Sequence, residues 1–354
     1  MGKSTHKVLP LAATHERAGA LLTSIDGWQL PARYSDPQIE YSNGKYKAAL
    51  LDKSQTGRIR ITGNDGLDLL NRLSTNKLDD LKPGECAQTI LTSNKGRIID
   101  LLLVSQMDDN ITIITSPDTA TKVIDWIDFY TFSEDIKVED ISQKTALLSI
   151  VGPEPYASIF NAIPIINPGQ NIKTSIYGIE VEIFRTNLLG LSSLSILSDI
   201  SKISDLWKYL INIGLTPIGE EASEMLRLEH GIPRYGRELG EAFNPLEAGL
   251  TSCISFDKGC YTGQEVVLRL KTYNKVQKHL SGIVTKEWKP ALGARLEIDG
   301  KDVGHITSVA HSPVLGENLA LGYVKSGYCE PDQELIIRTE TEFSQGRVVQ
   351  LPLQ

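Results

Sequence analysis

Residues 257–265 read DKGCYTGQE. Cys260 stands between Gly259 and Gly263, with Lys258 before it and Gln264 and Glu265 after it. The glycines allow backbone conformations closed to other residues, or close approach to a ligand. Lys258 favours the thiolate, the reactive form of a cysteine. The same residues also describe a tight turn carrying a small buried thiol. Alone, the stretch leaves both readings open, and its surroundings decide between them.

Downstream, from about residue 275, short alternating runs are punctuated by Gly282, Gly293, Gly300, Gly304, Gly316, Gly322 and Gly327. Asp299-Gly300 is a strong hairpin signal. Helical periodicity is absent, so residues 275–354 read as a small all-β barrel or sandwich. Upstream, EEASEMLRLEHG (220–231) reads as a helix ended by Gly231. Arg227 and Glu229 near its end suit a ligand bearing a carboxylate and ring N–H donors, or an ordinary ion pair. NPLEAGL (244–250) places Glu247 before an apolar turn.

Further back, two blocks alternate strands with helices. GRIRITG (57–63), 88–106 and 110–116 read as strands, and 64–74 as a helix capped by Asn64 or Asp65. Residues 116–130 read as a second helix. Ser116 is its expected cap, Pro117 its first position, and Ala120, Val123, Ile124 and Ile127 its apolar face. Strands at 144–152, 179–185 and 192–198 and a helix at 199–214 make the second block. Residues 1–47 read as polar and loop-rich, with turns at Asp26-Gly27-Trp28 and Pro31 around one extended segment. In SNKGRIIDLLL (93–103), Asp100 enters a strongly apolar strand. There it is either buried and partnered, suited to binding a polar edge or moving a proton, or it faces solvent.

Composition narrows the class. Of 354 residues, 41% are hydrophobic and 23% charged, as in a globular protein, and the length calls for two or three packed units. A net charge of −8 argues against a general nucleic-acid or membrane surface. The four cysteines, Cys86, Cys253, Cys260 and Cys329, form neither a disulfide framework nor a metal-site spacing. The N-terminal apolar run, broken by Pro10, is too short for a secretory signal, and we expect a cytoplasmic monomer.

Taken in order, GWQLPARYSD, GRIRITGNDGLDLLNRLSTNKLDDLKPGE, NKGRIID, LRLEHGIPRYG, NPLEAGL, KGCYTGQE and GHITS followed by HSP resemble the folate-binding superfamily of the glycine-cleavage T-protein. KGCYTGQE as a unit resembles its YgfZ-type branch. The resemblance implies an α+β protein arranged as a three-domain ring. Two ferredoxin-like α+β subdomains would fill residues 1–270, one of them (roughly 52–142) inserted in the other, and a C-terminal β-barrel would occupy 275–354. It implies tetrahydrofolate, or a one-carbon derivative, as cofactor. Lys258, Gly259, Cys260, Tyr261, Gly263, Gln264 and Glu265 match the branch signature, with Cys260 as its functional thiol. Asp100 matches a T-protein aspartate that works beside the reactive folate nitrogen. Arg227 and Glu229 border the implied folate site, and Tyr261 and Gln264 are further implied contacts.

The chain also departs from the T-protein pattern. Leu101 replaces a second aspartate, Gly96-Arg97 replaces a glycine pair, NLLGLSSLS (187–195) has no acid, and Ser223 replaces an arginine. With the signature, these departures lead us to expect an accessory protein that supports iron–sulfur enzymes or their assembly factors, including tRNA-modifying enzymes. The alternative is a tetrahydrofolate-dependent aminomethyltransferase using Asp100. A third reading is a scaffold that has lost folate.

Overall fold

The computed structural model describes residues 6–153, 163–164, 166–285, 290 and 292–353. Its architecture is mixed α+β with a closed six-stranded barrel at the C-terminal end. The chain divides into two compact units. One comprises residues 1–70, 78–88 and 102–223, the other 71–77, 89–101 and 224–354.

The first unit holds a six-stranded sheet in the order Asn171–Ile176, Ile179–Leu188, Leu191–Asp199, Thr145–Val151, Ala49–Asp52, Thr216–Pro217. All neighbours are antiparallel except the last pair. Leu148, Ile150, Ile183, Leu194 and Ile196 from this sheet bury against Leu206, Trp207 and Leu210 of the helix Ile203–Asn212. That helix begins after a short 3-10 turn whose Ser201 amide is capped by Asp199, and Gly214 follows it with a φ of +103°.

A five-stranded sheet follows the order Glu85–Thr92, Ile98–Gln106, Ile111–Pro117, Thr56–Thr62, Lys137–Asp140. The division between the units runs through its first two strands. Their outer halves meet across the turn at 93–97, and it is there that Asp100 lies. The neighbouring helix spans Ala120–Phe129 and buries Ala120, Val123 and Ile127 of the expected face, while Ile124 is only partly buried. Its start differs from expectation. Pro117 ends a strand instead of opening a helix, because the strand pairing continues to Thr56 opposite it. Asp118 then turns at a φ of +61° before Thr119 begins the helix.

Residues 1–47 hold more order than their polarity suggested. Lys7–Val8, Leu21–Ile25 and Trp28–Arg33 form a small sheet, and the helix Pro37–Tyr46 is capped by Asp36 with Pro37 at its first position.

In the second unit the barrel runs Lys278–Thr285, Glu317–Lys325, Lys301–Ser312, Arg295–Ile298, Glu334–Arg338, Phe343–Val349 and closes back on its first strand. The hairpin at Asp299-Gly300 is present, with φ values of +50° and +73°. Alternate residues, among them Ile283, Leu296, Ile306, Val324, Ile337 and Val348, fill its interior.

Candidate functional site

The segment 257–265 is held in place on both sides. Lys258 is buried, and its ammonium donates to the carbonyls of Asn71 at 2.6 Å, Ser74 at 2.9 Å and Asn76 at 2.7 Å. These carbonyls lie at and just past the end of the helix Gly66–Leu73, where backbone acceptors lack partners and a cation is favoured. The Thr262 amide donates to the Arg72 carbonyl at 3.0 Å, and Thr92 Oγ1 donates to the Thr262 carbonyl at 2.6 Å. Gly263 has a φ of +84°, and a Cβ there would lie 2.3 Å from the Ser93 carbonyl oxygen. The glycine is therefore dictated by packing. Gly259 is different, since a Cβ added there would meet nothing within 4 Å.

Lys258 thus serves the backbone of 71–76, and the expected pairing of its charge with the thiol is not what its donors do. Cys260 is exposed, whereas Cys86 and Cys253 are buried. Burial pushes the Cys86 thiol up to about 12 and raises Cys253 as well. Tyr261 is 6% exposed, its ring lies 5.4 Å from the Lys258 ammonium, and burial raises its hydroxyl to about 12. That hydroxyl has no hydrogen-bond partner among the described residues. Gln264 Nε2 donates to the Gly259 carbonyl at 3.4 Å, closing the loop, and Glu265 is exposed in the first turn of the helix Gln264–Thr272.

Asp100 is fully buried, so the solvent-facing alternative is excluded. Its carboxylate accepts from the Leu101 amide at 2.8 Å.

Arg227 and Glu229 are also buried, but they face different partners. Arg227 donates through Nε and Nη2 to Glu224 at 2.9 and 2.7 Å, a forked pair. Its Nη1 reaches the Ile232 carbonyl at 2.7 Å and Glu238 at 3.1 Å, and Nη2 also reaches Ser308 Oγ at 2.8 Å. Ser308 in turn donates to Glu238 at 2.6 Å. Glu229 accepts from Ser312 Oγ at 2.6 Å and from the Val314 amide at 3.2 Å. The pair therefore ties the helix Glu220–Glu229 to one barrel strand, Lys301–Ser312. The Lys258–Gly263 segment packs instead on residues 71–76 and 92–96.

Sequence reasoning missed Glu224 and Glu238, the two carboxylates that hold Arg227. Glu224 gathers three arginines, with Arg234 at 3.0 Å and Arg237 at 3.7 Å joining Arg227. Burial alone would raise its carboxyl, but Arg227, Arg234 and Arg237 outweigh that and bring it down to about 2. A signal was present: Glu224 and Arg227 are spaced i, i+3 on a helix, neighbours on one face. Glu238 gave none, since only the turn at 231–237 returns it to Arg227.

Comparisons with known proteins now bear on the fold and the site. Residues 11–258 match the GCVT N-terminal domain, and residues 278–354 match the glycine cleavage T-protein C-terminal barrel domain. An aminomethyltransferase of Halalkalibacterium halodurans is 27% identical, covering 98% of this chain and 97% of its own length. One from Halothermothrix orenii is 29% identical over 98% and 99%. The crystal structure of the glycine cleavage system aminomethyltransferase T from Bartonella henselae superposes with a TM-score of 0.89. It covers 98% of this chain and 97% of that one at 22% identity, which establishes the shared fold. No helix among the described residues is long and apolar enough to cross a membrane.

The relatives correct one expectation. Kinship along nearly the whole chain runs to proteins named aminomethyltransferase, which overturns the reading as an accessory to iron–sulfur and tRNA-modifying enzymes. The KGCYTGQE stretch misled because most of it is explained by packing, with Lys258, Thr262 and Gly263 each fixed by backbone neighbours. With both domains matched in order, the chain belongs to the glycine cleavage T-protein family.

Proposed function

We propose that this protein is a tetrahydrofolate-dependent aminomethyltransferase. It would pass the one-carbon unit of an aminomethylated carrier to tetrahydrofolate and release ammonia. The observation that carries the reading is Asp100, a fully buried carboxylate on a strand of a chain matched in both family domains. Carbon–nitrogen bond making at a folate nitrogen needs a proton taken from that nitrogen and one delivered to the departing amine. A buried carboxylate at fixed position suits both transfers. Leu101 supplies its amide to the same carboxylate and holds it in one orientation. Arg227 and Glu229 act in this reading by positioning the helix Glu220–Glu229. The unpartnered Tyr261 hydroxyl is a candidate donor to a ligand, with Gln264 three residues further along.

The test is production of methylenetetrahydrofolate from tetrahydrofolate and an aminomethylated carrier protein. Asp100→Asn keeps shape and removes the base, and it is expected to lower turnover about 10²–10⁴-fold while folate still binds in calorimetry. Folate binding without turnover by the wild type, or full turnover by Asp100→Asn, overturns the reading.

A further inference from the structure

We propose that Lys278 and Arg97 form a binding site for a small oxyanion, a carboxylate or phosphate group, beside the stacked rings of Phe243 and Tyr323. The inference does not rest on the proposed activity.

Lys278 opens the first barrel strand, and its side chain is half-buried. Its ammonium lies 4.4 Å from the centroid of Phe243 and 4.8 Å from that of Tyr323. Among the described residues it makes no hydrogen bond and no ion pair. A half-buried ammonium ordinarily has an oxygen partner, because taking the charge out of water without one is costly. Here only aromatic faces attend it, an arrangement that attracts a cation but leaves its three donors unused.

The platform beneath is rigid. The two rings stack with centroids 4.1 Å apart and planes 10° off parallel, and Tyr323 Oη donates to the Glu238 carbonyl at 2.7 Å. The Ile98 amide donates to the Phe243 carbonyl at 3.0 Å, which brings the turn carrying Arg97 to the same place. Arg97 Nη1 donates to the Ala242 carbonyl at 3.3 Å and stands 3.6 Å from Glu247.

Glu247 is the carboxylate whose charge acts on both cations, but among the described residues it pairs with Arg97 alone. Its Oε2 accepts from the Asn244 amide at 3.1 Å and faces Arg97. Two fixed positive charges against one carboxylate leave a surplus of one, the complement of a monoanionic group. Burial, reinforced by Arg97 and opposed by Glu247, lowers the Lys278 ammonium from its ordinary value. His305, tilted against Tyr323 at 6.3 Å, is lowered by burial and by Lys278 and raised by Asp302, with a net lowering. Arg97 keeps 44% of its side chain exposed, so the surplus charge is reachable from solvent.

The probes are inorganic phosphate and acetate, titrated separately by calorimetry into the full chain at low ionic strength. Saturable binding of one or both, with a Kd on the order of 1 mM, is expected, and the stronger probe identifies the group the site takes. Lys278→Met and Arg97→Gln should each weaken binding at least tenfold. Lys271→Met is the control, since that lysine is exposed and sits 3.0 Å from the Phe256 centroid, a comparable contact outside the cluster. Arg97→Gln is on a partly exposed side chain and carries the test if Lys278→Met fails to fold. No saturation by either anion, or unchanged affinity in folded Lys278→Met or Arg97→Gln, overturns the proposal.

Discussion

Glu224→Gln removes the carboxylate around which Arg227, Arg234 and Arg237 gather. In the folded chain Glu224 ionises at about 2 instead of 4.5, because Arg227, Arg234 and Arg237 together outweigh the cost of burying it. That difference corresponds to roughly 3 kcal/mol of folding stability at pH 7. The folded value is the lower one, so the contribution is fully present above pH 4.5 and is lost as pH falls toward 2. Linkage puts the remaining contribution near 2 kcal/mol at pH 3.5. Urea unfolding of wild type and Glu224→Gln should therefore differ by about 3 kcal/mol at pH 7, with the gap closing as the solution is acidified. The substitution keeps the volume and some hydrogen bonds, so packing alone predicts a small loss that does not vary with pH. A difference that stays constant from pH 7 to pH 3.5 would refute the assignment of the low ionisation to the three arginines.

Lys258→Met leaves three carbonyls without their shared donor, and a loss of about 2–4 kcal/mol is expected in the same unfolding assay. Gly263→Ala drives a methyl against the Ser93 carbonyl and strains a left-handed backbone, so its melting temperature should fall by several degrees. Under native conditions a thiol-alkylating reagent followed by mass spectrometry should label Cys260 fast and leave Cys86 and Cys253 intact until the chain unfolds. Fast labelling of Cys86 would contradict its burial.

The elements with strong local grammar were legible. The Asp299-Gly300 hairpin, the apolar face of 120–127 and the glycine-ended helices near 214 and 231 follow from short-range rules, and each is present. The start of the 116–130 helix was misplaced because strand pairing with Thr56 reclaims Pro117, a tertiary preference overriding a local one. The helix Gln264–Thr272 escaped notice because the residue before it is Gly263, in a left-handed conformation, and no side chain caps it. At the candidate site the identity of Arg227 and Glu229 could be read, but not their partners. Ser308 and Ser312 lie about eighty residues on, and only barrel closure brings them back. The role of Lys258 was hidden for the same reason, since its acceptors lie more than 180 residues earlier. Burial of Asp100 was legible as one of two options, and the structure chose between them.

The division of the chain has a consequence for how the protein is made. Every residue of the first unit has been synthesised once Ser223 is added, so that unit can begin to consolidate while the rest of the chain is still being translated. The second unit cannot. Its segments 71–77 and 89–101 emerge early, but the lysine that collects the carbonyls of Asn71, Ser74 and Asn76 is Lys258. For most of the synthesis those early segments are exposed without their partners, and the apolar residues Ile90, Ile98 and Leu101 wait for a core completed by Val267 and Tyr323. The slow step of maturation is then closure of a very long loop, and the nascent protein is most vulnerable to aggregation just before its barrel appears.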